Sequence, residues 1–75
     1  MSKLPKSLIV DERTDTHFFG HYKGAAIQVD LNDDEDNYYI LVWDKSGVLN
    51  YDGWAGDNIQ TMDEAILEAI SGAML

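Results

Sequence analysis

Residues 30–43 join two stretches that no single environment can hold. The first carries five carboxylates within seven positions: Asp30, Asp33, Asp34, Glu35 and Asp36. The second is an unbroken run of six large apolar or aromatic residues, from Tyr38 to Trp43. Ionised carboxylates without partners cannot leave water cheaply, so the first stretch predicts a solvated loop. An apolar run of that length, bounded by polar residues, predicts a strand covered at least partly on both faces, the central strand of a small core.

The surrounding chain alternates strand and turn signals. Ile27, Val29 and Leu31 alternate with Ala26, Gln28 and Asp30, which predicts a half-buried antiparallel strand over residues 25–31. Residues 17–22 are rich in aromatics and predict a first main strand, with a short strand at residues 8–10 and a polar loop over 11–16. Lys23 and Gly24 form a hairpin turn, because glycine accepts the positive φ that such turns need. Residues 44–47, from Asp44 to Gly47, carry a second turn, and residues 48–51 return as a fourth strand. Beyond them Gly53 and Gly56 mark a loop in which Trp54 is expected to plug the end of the core.

The C-terminal helix is the best-specified element. Thr61 and Glu64 have capping-box spacing, and Asp63 and Glu64 in the first turn suit the helix dipole. Met62, Ile66, Ala69, Ile70 and Ala73 share one face with Ala65 beside them, while Glu64, Glu68 and Ser71 lie opposite. Gly72 is expected to stop the helix, leaving Ala73, Met74 and Leu75 as an apolar tail. The fold class is α+β: a small two-layer sandwich, an antiparallel β-meander of about four strands with one helix on one face. Residues 1–7, interrupted by Pro5, form a flexible tail, and residues 8–75 a single domain.

A chain of 75 residues without cysteine must rely on a small apolar core, since it has neither disulfides nor thiolate metal sites. That composition fits a reducing, cytoplasmic setting. No apolar run approaches the ~20 residues needed to span a bilayer. Fourteen acids against five bases give a formal net charge of −9. From Gly24 onward Lys45 is the only base. Such a surface repels nucleic-acid phosphates and anionic lipid and complements a basic protein surface. Solubility alone is the competing account of the charge.

The acidic loop invites a calcium reading that its own spacing defeats. Asp30, Asn32, Asp34 and Asp36 alternate as in an EF-hand, yet Glu35 and Leu41 stand where Gly and a bidentate Glu are required. His17 and His21 share one side of a predicted strand about 13 Å apart at ~3.3 Å per residue, too far for a common ion. No metal site or cofactor is expected. Nor is an enzyme: no activated nucleophile, glycine-rich phosphate loop or sheltered acid–base pair is legible.

What remains is binding. Clustered carboxylates on a hairpin can imitate phosphates and occupy the basic groove of a nucleic-acid-handling protein. By analogy alone, small acidic single-domain proteins of this kind serve phages and mobile elements as inhibitors of host defence nucleases or transcription complexes. The expected binding residues are Asp30, Asp33, Asp34, Glu35 and Asp36, with Tyr38 or Tyr39 as aromatic anchors. Asp44, Asp52 and Asp57 join them if their loops lie nearby. The alternative is a regulatory or antitoxin-like module without mimicry, dimeric through Met74, Leu75 or the exposed sheet face.

Overall fold

Strand order follows chain order throughout the sheet. The computed structural model describes residues 4–75. In it β1 (Ile9–Arg13), β2 (His17–Tyr22), β3 (Ala25–Asn32), β4 (Asn37–Trp43) and β5 (Leu49–Trp54) form one antiparallel sheet in the order β1-β2-β3-β4-β5. The helix α1 (Met62–Gly72) packs on one face against β3 and β4. This is the expected α+β meander with one C-terminal helix, but with five strands rather than about four. The central strand is β3; the apolar run from Tyr38 to Trp43 forms β4, flanked by β3 and β5.

Alternation sorts the two faces. Phe18, Ile27, Val29, Ile40 and Val42 are fully buried beneath the helix, together with Ala65, Ile66 and Ala69 of α1. Their neighbours on each strand, including Phe19, Gln28, Tyr39, Leu41 and Trp43, point to the opposite face and are half-buried. No second layer covers that face among the described residues, so the apolar run is fully enclosed on its helix side only.

Turn chemistry sets the register. Lys23 (φ 52°) and Gly24 (φ 84°) form a two-residue hairpin turn with positive φ at both positions. Asp44 Oδ1 accepts the backbone N–H of Ser46 at 2.9 Å and of Val48 at 3.0 Å, which closes the β4–β5 turn. The α1 capping box forms as its spacing predicts: Thr61 Oγ1 accepts from Glu64 N at 3.1 Å, and Glu64 Oε1 accepts from Thr61 N at 3.2 Å.

Three expectations need correction. β1 extends through Asp11–Arg13, residues that look like loop because the strand buries no side chain. β5 runs on to Trp54, so this tryptophan lies on a strand at the open face, 45% exposed, rather than plugging the core. Gly72 remains helical; the left-handed position belongs to Met74 (φ 58°), with Leu75 N donating to Ile70 O at 3.0 Å and Met74 N to Ser71 O at 3.1 Å. That closure folds Leu75 back against the core, leaving Met74 as the exposed residue of the expected tail. Of the expected N-terminal tail, residues 1–3 lie outside the described residues. Leu4 packs against the core, and Pro5 O accepts from Leu8 N at 3.2 Å.

Candidate functional site

The acidic turn is a four-residue connection, residues 33–36, between β3 and β4. Asn32 and Asn37 pair at its base. Asn32 Oδ1 accepts from Asp34 N at 3.0 Å and from Glu35 N at 3.1 Å, and Asp36 takes φ 51° to complete the reversal. Asp33, Asp34, Glu35 and Asp36 are all exposed, and each points its charge into water from a fixed backbone.

Asp30 does not belong to this turn. It lies on the open face of β3 opposite His17, where its Oδ1 is 2.5 Å from His17 Nδ1 and its Oδ2 accepts from Gln28 Nε2 at 2.9 Å. Glu12 approaches the same imidazole from β1, with Oε1 3.1 Å from Nε2. The hydrogen bond to Asp30, helped by the charges of Asp30 and Glu12 and opposed by partial burial, holds the His17 pKa above its ordinary value. His21 pairs with Asp11 at 2.6 Å. None of the three histidine–carboxylate contacts was visible in the sequence, because each joins residues on different strands, five to thirteen positions apart, whose meeting depends on register. Among the described residues no group of three or more His, Cys, Asp or Glu is arranged to hold a metal ion.

The two candidate anchors separate. Tyr38 turns to the helix side, 7% exposed, with its hydroxyl 3.4 Å from Gln60 O, away from the open face. Burial first, then the nearby charges of Asp36 and Glu64, pushes its pKa up. Tyr39 faces the open side. Its ring meets Trp54 edge-on at 5.0 Å between centroids, and its hydroxyl donates to Asp52. That hydrogen bond is the main cause of its raised pKa, so the phenol stays a donor at neutral pH.

Strand directions decide which loops share an end. Arg13 pairs with Phe18, Asp30 with Tyr39 and Tyr39 with Trp54, so the turn at residues 14–16, the acidic turn and the segment after Trp54 lie at the same end of the sheet. Asp15 and Asp57 therefore join Asp33, Asp34, Glu35 and Asp36 there. Asp36 and Asp57 line one cleft of about 510 Å³, with Leu31, Tyr38, Ile59 and Gln60. The helix N-terminus is tied to this end: Ala55 N donates to Tyr38 O at 2.8 Å, and Arg13 Nη2 lies 2.6 Å from Asp63 Oδ1, an ionic contact rather than an aligned hydrogen bond. Lys23 and Lys45 occupy the turns at the opposite end, as does Asp44. Asp52 lies between the ends, on the open face of β5.

The chain matches no protein-family model, no curated protein and no solved structure. No described helix is long and apolar enough to cross a membrane.

Proposed function

We propose that this protein is a stoichiometric inhibitor that covers a basic, nucleic-acid-binding surface of another protein and presents carboxylates where phosphates would sit. The observation that supports this most directly is the gathering of Asp15, Asp33, Asp34, Glu35, Asp36 and Asp57 at one end of the sheet, with Lys23 and Lys45 at the other. Such polarity orients an approaching basic surface toward the acidic end before contact. The Asn32 side chain fixes the turn backbone, so its charges need little ordering on binding. Asp30 and Tyr39 stand on the adjoining open face, where they extend the same surface. The target class is a host defence nuclease or transcription complex, the setting in which phages and mobile elements use such proteins.

The test is capture from bacterial lysate at low and moderate salt. Native protein is compared with a variant combining Asp33→Asn, Asp34→Asn, Glu35→Gln and Asp36→Asn. Nucleic-acid-binding proteins are expected on the native bait, released by added DNA or by salt, and absent from the variant. Equal retention of the same proteins by both baits, or none by either, would sink the reading.

A further inference from the structure

We propose that the open face of the sheet is an arginine-binding surface for a basic protein partner, with Trp54 as the stacking platform and Asp52 as the carboxylate that fixes the guanidinium. The inference rests on the basic partner of the preceding reading; it adds a second contact face and the cation that face selects.

Three observations carry it. Trp54 is 45% exposed although it ends a regular strand. Its indole is held edge-on by Tyr39 at an interplanar angle of 83°, and Tyr39 is itself held by Asp52, so the platform is fixed before any partner arrives. Asp52 lies two residues before Trp54 on the same strand, and therefore on the same face, opposite Leu41. Its Oδ1 takes the Tyr39 hydroxyl, which leaves Oδ2 for a second donor. A planar guanidinium satisfies both groups at once, stacking on the indole while its N–H fork reaches the carboxylate. A lysine ammonium has no plane to stack.

The charge of the face excludes two other occupants. Open sheets with exposed aromatics also suit single-stranded nucleic acid, whose bases stack on them. Here Asp30, Asp52 and Glu12 would oppose the phosphates, and the two histidines of this face, His17 and His21, are already paired with carboxylates. A second copy would bring the same carboxylates face to face, on chains that each carry −9. A basic protein surface meets neither obstacle.

The experiment titrates the full chain with nine-residue oligo-arginine and oligo-lysine peptides at one ionic strength, following the indole N–H resonances of Trp43 and Trp54. The arginine peptide is expected to shift the Trp54 signal and to bind roughly fivefold tighter than the lysine peptide. Trp54→Ala and Asp52→Asn should each abolish that preference while both peptides retain salt-dependent binding. Because Asp52 is exposed, Asp52→Asn keeps the test decisive if Trp54→Ala fails to fold. The fourfold acidic-turn variant should weaken both peptides alike and preserve the preference, so failure of the turn and failure of the face are distinguishable. Equal affinities with an unmoved Trp54 signal would overturn the proposal. So would binding of a single-stranded DNA oligonucleotide at this face, or light scattering that reports a dimer burying Trp54.

Discussion

A Cβ added to Gly72 would fall inside the space of the Tyr51 ring, whose hydroxyl donates to Glu68 Oε2 at 3.1 Å. Glycine here serves close packing between α1 and β5, and its helical backbone leaves Met74 to adopt the left-handed conformation. Two opposite outcomes follow. Gly72→Ala gains about 0.5–1 kcal/mol of helix propensity but meets an overpacking penalty of about 1–3 kcal/mol, so it should lower stability. Met74→Gly removes a left-handed side chain at some cost in unfolded-chain entropy and should raise stability by about 0.5 kcal/mol. Urea midpoints measure both; a Gly72→Ala protein as stable as the native would mean that the ring swings aside freely. Sequence inspection finds a glycine near a helix end and cannot tell a cap from a close contact, because the contacting residue lies 21 positions away. The same blindness applies to Tyr38 and Tyr39: adjacent residues of one type take opposite faces, and only register says which is inside.

Among the elements, β1 is held differently from the rest. All five of its residues are exposed, yet three consecutive side chains reach separate partners: Asp11 to His21, Glu12 to His17 and Arg13 to Asp63. Exposed pairs of this kind contribute about 0–1 kcal/mol each, so the strand relies on its backbone ladder and on their sum. The His17 contribution depends on pH. Since Asp30 and Glu12 raise its folded-state pKa, the stabilisation is complete below the ordinary value of 6.5 and is lost as pH rises through the raised value. Denaturation midpoints should therefore fall as pH rises from below 6.5 through the raised value, and His17→Gln should flatten that fall. An unchanged slope in the variant would show that the imidazole does not clamp β1. This also explains what was legible. The β3 alternation is a local pattern with a buried consequence and the Thr61–Glu64 box a local hydrogen-bonding pattern, and both appear as expected. β1 has no buried consequence, so the sequence shows only its apolar start at Ile9 and Val10 and is silent about Asp11–Arg13.

For the molecule as a whole, the acidic run was legible as a solvated hairpin, whereas the polarity of the charge was not. Whether Asp44, Asp52 and Asp57 join the turn depends on which way each strand runs; topology brings Asp57 to it, sends Asp44 to the far end and leaves Asp52 on the open face. The same topology has a kinetic side. Connections of three, two, four and five residues link β1 to β2, β2 to β3, β3 to β4 and β4 to β5. Short closures form first and fast, so refolding should be a single phase on the order of milliseconds, measurable by stopped-flow tryptophan fluorescence. Yet the helix that covers Ile27, Val29, Ile40 and Val42 follows all five strands in the chain. A nascent chain can assemble every hairpin and still hold no finished core until α1 clears the ribosome. Folding therefore waits for α1, and a chain truncated before Met62 should remain unfolded by circular dichroism.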